Sequence, residues 1–274
     1  MSDKLQAACI QFCSGPEIAD NLAAVEPLIR QAAKDGARLI ALPENICMLL
    51  RGRDRVIARA RTEAEHPGIP FFKKMAIESG SWILGGSLAI NLGHEKLANR
   101  SYLFSPAGEI AAHYDKIHMF DADLGEETYR ESSTYRAGNR AVTAETPWGK
   151  IGLTICYDMR FPHLYRTLAK AGAAIIAVPA AFTVPTGKLH WHVLLRARAI
   201  ETGCFLLAPA QCGTHDGGRK TYGHSLIINP LGEILVEAGD EPGIIMAELD
   251  MVKVAEARRM LPSLSHDCEF ERPC

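Results

Sequence analysis

Gly152-Leu153-Thr154-Ile155-Cys156-Tyr157-Asp158-Met159-Arg160-Phe161-Pro162 decides how the rest of this chain is read. An apolar run ends at a cysteine, the chain turns sharply, and a helix follows with Pro162 in its first turn, where proline is tolerated. Strand, turn, helix is the unit of an α/β fold, and the cysteine side chain stands exposed at the strand's end. The alternation continues in both directions. On the C-terminal side, residues 162–171 read as a helix and 173–179 as a near-continuous apolar strand, of the kind covered on both faces. Residues 189–201 read as a helix, 204–210, 225–229, 233–237 and 244–248 as strands, and 251–260 as a short helix. On the N-terminal side, 5–12 read as a strand, 18–33 as an amphipathic helix, and 38–42 as a short buried strand ending at Pro43. Residues 71–79 read as a helix, 82–90 as a strand, and 101–104 with 109–116 as a hairpin around Pro106-Ala107-Gly108. Residues 120–139 are polar and aperiodic, which predicts a long functional loop.

Composition supports one large α/β domain over residues 1–274. The 274 residues are 47% hydrophobic and 23% charged, and no linker or low-complexity run divides them. Thirty Lys plus Arg stand against 32 Asp plus Glu, so no basic excess draws nucleic acid or an anionic membrane. The eight cysteines form no CxxC pair, and the chain's start is polar with no signal-peptide pattern. Free thiols in a cytoplasmic setting are expected. The most continuous apolar run, 173–181, contains Pro179 and is too short to cross a bilayer.

Three stretches carry chemistry. In the first, the helix after Cys156 would favour a thiolate, and the Tyr157 N–H would face a developing oxyanion. Taken alone, Cys156 reads equally as a buried structural thiol. The second is Ala41-Leu42-Pro43-Glu44-Asn45, a carboxylate at the end of a buried strand. Burial would raise its pKa and suit it as a general base; alternatively it caps the next helix. The third is His113-Tyr114-Asp115-Lys116-Ile117-His118-Met119-Phe120-Asp121. Its lysine, at a strand end before the long loop, would steady negative charge, or else is a solvated residue that adds little to the core. His190 and His192 lie two apart, which on a helix does not put both rings on one face. The pairs Gly85-Gly86 and Gly217-Gly218 lack a phosphate-loop pattern, and Arg51 to Arg55 reads as a solvated charge run.

Together LPEN, YDKIHMFD and TICYDMRFP resemble the nitrilase superfamily of carbon–nitrogen hydrolases, which use a Glu–Lys–Cys triad. The resemblance spans nearly the whole chain. It implies a four-layer αββα sandwich with two mixed β-sheets flanked by helices, and catalytic roles for Glu44, Lys116 and Cys156. It also implies a second glutamate before a small-residue–Gly step, here Glu131, with Glu126 and Glu127 as rivals. The implied reaction is hydrolysis of a terminal amide through a thioester, with release of ammonia and no metal or cofactor. Within the superfamily, AFTVPTGKLHW and YGHSLIINP most resemble deaminated glutathione amidases. Omega-amidases acting on α-ketoglutaramate and N-carbamoyl hydrolases are the alternatives. Tyr157, Arg160, Phe182, Thr183 and Thr186 are the expected substrate-binding residues, with Arg160, Phe182 and Thr186 on the keto-acid end. The expected partner is a small amide carrying a carboxylate, and the expected assembly a homodimer or homotetramer. Two readings of other classes stand beside this one. One is a Cys–His hydrolase with His163, His192 or His224 as base; the other is a non-catalytic binding protein.

Overall fold

The computed structural model describes residues 3–93, 96–125 and 127–271. Strand β1 (Lys4–Gln11) accounts for the layering, because successive side chains of a strand point to opposite faces. Leu5, Ala7 and Cys9 enter a core shared with a second sheet. Ala8 and Ile10 enter a separate core beneath helices α1 (Ile18–Lys34) and, past the short α2 (Arg53–Arg59), α3 (Gly68–Ser79). The first sheet also holds β2 (Leu39–Ala41), β3 (Trp82–Leu84), β4 (Leu88–Asn91), β5 (Leu97–Phe104) and β6 (Ile110–Asp115). Its seventh strand, β17 (Gly243–Asp250), comes from the far end of the chain and pairs antiparallel with β1. Strands β1, β2 and β3 run parallel, and β5 pairs antiparallel with β3, β4 and β6.

The second sheet has six strands: β9 (Val142–Thr146), β10 (Gly149–Leu153), β11 (Ala173–Ala177), β12 (Phe205–Ala208), β15 (Leu226–Ile228) and β16 (Ile234–Glu237). Its centre, β10-β11-β12, is again parallel. Helices α4 (Pro162–Lys170) and α5 (Val184–Thr202) add Leu164, Trp191 and Leu195 to its core. The order is thus helix, sheet, sheet, helix: the expected four-layer αββα sandwich of two mixed sheets. Two hairpins, β7 (Asp121–Asp123) with β8 (Thr128–Arg130) and β13 (Cys212–Thr214) with β14 (Lys220–Tyr222), stand apart from both sheets. A last helix, α6 (Val252–Met260), follows β17.

The differences from the sequence reading have local causes. The strand expected at 82–90 is two strands, β3 and β4, broken at Gly85-Gly86. Gly86 has φ +58°, and a Cβ there would sit 1.9 Å from the Pro43 carbonyl oxygen. Only glycine lets this break press against the LPEN segment. The expected loop 120–139 contains the β7–β8 hairpin and a short 3-10 turn at Glu131–Ser133. Helix α5 begins at Val184, with Pro185 in its first turn, so Thr186 is helical. The charge run 51–55 overlaps the start of α2. Cys268 is exposed, and Cys9, Cys13, Cys47, Cys156, Cys204 and Cys212 are free thiols at least partly buried; Cys274 lies outside the described residues. Among the described residues, no helix is long and apolar enough to cross a membrane.

Candidate active site

The site forms where strand ends from both sheets meet, as is usual at the carboxyl ends of parallel strands. Glu44 lies three residues past β2, Lys116 one past β6, and Cys156 three past β10. Each is held by backbone around it. The Asn45 N–H donates to Ser87 Oγ at 3.0 Å, so the glycine break also steadies the LPEN turn. The Lys116 N–H donates to the Asn99 carbonyl, and the Gly138 N–H to the Lys116 carbonyl at 2.8 Å. A Cβ on Gly138 would fall 2.2 Å from the Asp115 carbonyl oxygen, so this close approach also demands glycine. Cys156 adopts φ +46°, a strained position for a non-glycine residue, while its N–H donates to the Pro179 carbonyl. The fully buried Asp158 locks this elbow to the end of β6. Its carboxylate accepts from the Ile155 N–H, the Tyr114 hydroxyl and the His118 N–H, and pairs with His118 Nδ1 at 2.7 Å.

Lys116, 2% exposed, sits between two carboxylates. Its Nζ donates to Glu44 Oε1 at 3.0 Å and to both oxygens of Glu131 at 2.8 and 3.0 Å. Asn99 Nδ2 bridges the same acids, at 2.8 Å from Glu44 and 3.2 Å from Glu131. The remaining acceptor positions are filled by backbone: the Ala181 N–H donates to Glu44 Oε2 at 2.9 Å, and the Phe120 N–H to Glu131 Oε2 at 2.6 Å. The Cys156 thiol lines the same cavity as Glu44 and lies within reach of its charge.

These contacts correct two expectations about charge. Burial alone would raise the Glu44 pKa, but the Lys116 charge and the donors Lys116 and Asn99 outweigh it and hold Glu44 below its ordinary value. Cys156 lies well above an ordinary thiol: burial is the main cause, the Glu44 charge adds to it, and Lys116 and the Ala181 N–H only partly offset it. The thiol is therefore protonated at rest rather than a thiolate. Cys156 opens a five-residue 3-10 turn and α4 begins only at Pro162, whereas a helix terminus acts over about one turn. Burial opposes the Lys116 charge, yet Glu131 and Glu44 keep its pKa well above that of a free lysine. Lys116 is thus no solvated strand-end residue.

A cavity of about 380 Å³ opens onto this cluster, within the range of small-molecule sites. Glu44, Lys116, Glu131 and Cys156 line it together with Tyr157, Phe182, Thr183 and Thr186. Thr183 Oγ1 and Thr186 Oγ1 are 2.7 Å apart. Arg160 does not line the cavity. Its guanidinium lies 5.8 Å from the Tyr157 ring and 5.4 Å from the Phe182 ring, with Nη2 3.2 Å from His190 Nδ1. Glu127 lines the cavity but is bonded to the Tyr129 hydroxyl instead of Lys116; Glu126 lies outside the described residues. None of the three histidines considered as bases lines the cavity. His163 packs edge-on against His118 and Phe161, while His192 and His224 share Glu237 Oε1 at 2.9 and 2.7 Å.

Three participants escaped the sequence reading. Asn99 left no distinctive signal, because Arg100 and Ser101 follow it in β5. The Ala181 N–H left none, being backbone. Arg219, which lines the cavity, sits between turn glycines and β14 and reads as an ordinary surface arginine.

The sequence profile described as carbon–nitrogen hydrolase matches residues 6–259. The chain is 42% identical over 265 residues to a deaminated glutathione amidase of Synechocystis, covering 95% of this chain and 97% of that one. It is 38% identical to the Homo sapiens deaminated glutathione amidase, covering 96% of this chain and 81% of that protein. Among solved structures, Saccharomyces cerevisiae Nit3, a member of branch 10 of the nitrilase superfamily, superimposes with a TM-score of 0.86. Its sequence identity is 30%, and 96% of each chain is covered.

Proposed function

This chain belongs to the carbon–nitrogen hydrolase family and hydrolyses amide carbon–nitrogen bonds; from that premise we propose that its substrate is deaminated glutathione and that Glu44, Lys116 and Cys156 carry the reaction. The observation that carries the chemical reading is a protonated thiol beside an ionised carboxylate, to which a buried ammonium donates at 3.0 Å. Glu44 takes the thiol proton as Sγ attacks the amide carbonyl carbon, and the carbonyl π electrons move to oxygen. Lys116 Nζ and the Tyr157 N–H stabilise that oxyanion. On collapse the carbon–nitrogen bond breaks, Glu44 returns the proton to the leaving nitrogen, and a thioester remains on Cys156. Glu44 then deprotonates water, which attacks the thioester; the acid departs and the thiol regains its proton. Glu131 keeps Lys116 charged and in place throughout.

The leaving group depends on the substrate. Deaminated glutathione carries no primary amide, so cleavage on the keto-acid side releases the amine of cysteinylglycine. Ammonia leaves only from a primary amide such as α-ketoglutaramate. In this reading Phe182, Thr183 and Thr186, with Arg160 stacked against Phe182, receive the keto-acid end. We also read residues 1–274 as one domain of a cytoplasmic homodimer or homotetramer, a reading supported by Leu189 and Val193 exposed on α5.

The test is a panel of deaminated glutathione, α-ketoglutaramate, a simple nitrile and an N-carbamoyl amino acid, assayed for the acid product. Deaminated glutathione should give the highest kcat/KM. A preference for the nitrile or the carbamoyl compound, or no turnover of either keto amide, would overturn the assignment.

A further inference from the structure

The geometry points to Arg219 as the residue that selects the leaving half of the substrate, by pairing with the carboxylate at its C-terminal end; this inference rests on the substrate reading above. The proposed substrate has a carboxylate on each side of the scissile amide. Phe182, Thr183 and Thr186 account for one wall of the cavity. Positive charge at the cavity comes from Arg219, on the hairpin whose Thr221 bridges Thr183, and from Arg51, whose Cβ would lie 3.0 Å from a Cβ built on Gly217.

Arg219 is built into the site. Its Nη2 donates to the Ala181 carbonyl at 3.0 Å, and the N–H of that same residue holds Glu44. One residue, Ala181, therefore links the guanidinium to the reacting end through its two flanking peptide groups. Its charge is felt by Glu44, and its guanidinium lies 5.8 Å from the Tyr129 ring. Yet Arg219 has no ion-pair partner among the described residues, and its Nε is buried without a hydrogen-bond acceptor. Arg219 lines the cavity with guanidinium donors that the protein leaves unused, a place for an acceptor that arrives with the ligand. A carboxylate suits it, because the guanidinium fork can bind two oxygens at once. The floor of the cavity carries two carboxylates against one ammonium, so an anionic end is driven away from the thiol and toward the arginines. The leaving dipeptide spans about 7 Å from the scissile nitrogen to its terminal carboxylate when extended, a reach suited to the cavity wall rather than its floor.

The experiment compares deaminated glutathione with its C-terminal carboxamide, following release of the keto acid so that hydrolysis of the added amide does not interfere. Wild type should favour the acid by about tenfold to a hundredfold in kcat/KM, chiefly through KM. In Arg219→Gln the ratio should fall to within about threefold of one, and in Arg219→Lys to an intermediate value. Equal wild-type activity on acid and carboxamide would overturn the proposal without reference to any variant, and so would a wild-type ratio retained in Arg219→Gln. A wild-type protein that hydrolyses α-ketoglutaramate but not deaminated glutathione overturns the substrate reading and this inference together. Turnover of deaminated glutathione without an acid preference overturns this inference alone.

Discussion

The floor and the mouth of the cavity follow different rules. At the floor, Glu44, Lys116 and Cys156 are at most 7% exposed and stand one to three residues beyond sheet strands. Their polar atoms bond to one another, to Asn99 and to backbone. At the mouth, Arg51 and Arg130 are exposed, and Tyr129, Arg130 and Arg219 come from hairpins outside both sheets or from their turns. The floor is fixed by two cores that must pack before the site exists. The mouth is fixed by segments that can change without disturbing either core. In the proposed reading, reaction type and the choice of leaving half therefore reside in separate parts of the molecule, and substitutions should separate them.

The largest effect belongs at the floor. Cys156→Ala should lower kcat by at least about 10⁴-fold, as removal of a nucleophile does elsewhere. Intact-mass measurement of a quenched wild-type reaction should show the keto-acyl adduct on Cys156 alone. An adduct on Cys47 or Cys204, with Cys156→Ala still active, would break the assignment.

Lys116→Met comes next, and tests whether floor residues also serve stability. Loss of the oxyanion donor should lower kcat by about 10²- to 10³-fold. The variant also leaves the buried Glu44 and the partly buried Glu131 facing each other without a cation, at a cost of about 3–5 kcal/mol. Its melting temperature should fall. Adding Glu131→Gln should restore much of the stability but none of the activity. The pH dependence has a defined sign. Glu44, held low in the fold, contributes stability above its unfolded pKa that is lost as pH falls through its folded value. Lys116, held high, contributes stability below its unfolded pKa that is lost as pH rises through its folded value. A Lys116→Met protein as stable as wild type would show that the cluster serves catalysis only.

Asn99→Leu, nearly isosteric, removes a donor from the charged forms of Glu44 and Glu131. The expected loss in kcat/KM is about tenfold, the size of one charge-assisted hydrogen bond. The informative readout is the acid limb of the pH profile, which should move to higher pH as Glu44 becomes easier to protonate. Stability should change little, because Asn99 Oδ1 is already buried without a partner. An unmoved acid limb would mean that Asn99 only fills space.

The same division explains what the sequence disclosed. Strand ends drew attention, with apolar runs stopping just before Glu44 and Cys156 and the mixed strand β6 just before Lys116, but it was the resemblance of the three motifs together that decided their roles. Most strands of both sheets and the helices covering them were legible from their periodicity, whereas β9 was not read. The charge states were not, because the Glu44 pKa depends first on Lys116, 72 residues away in the chain, and then on Asn99, 55 residues away. Hairpins β7–β8 and β13–β14 were missed because three-residue strands outside a core carry too little periodicity to register. Arg219 went unseen with them.

The smallest expected effect concerns Arg160, and it sharpens the boundary between floor and mouth. Four residues after the nucleophile, Arg160 has a sequence position that suggests a direct carboxylate clamp, worth tenfold or more in binding on the scale of about 1.5–3 kcal/mol per charged hydrogen bond. The structure instead stacks it against Tyr157 and Phe182 and joins it to His190, outside the cavity lining. Lysine can keep a cation beside those rings but cannot reproduce the planar contact. Arg160→Lys should then cost only about threefold in kcat/KM on deaminated glutathione, through slightly altered placement of Phe182, and leave the acid-over-carboxamide ratio as in wild type. The measurement is kcat/KM on α-ketoglutaramate, on deaminated glutathione and on a neutral amide. A loss near a hundredfold on both keto acids, with the neutral amide spared, would show that substrate draws the Arg160 guanidinium past Phe182 into the cavity. The elbow segment would then supply both nucleophile and clamp, and the acyl end of the substrate would belong to the floor.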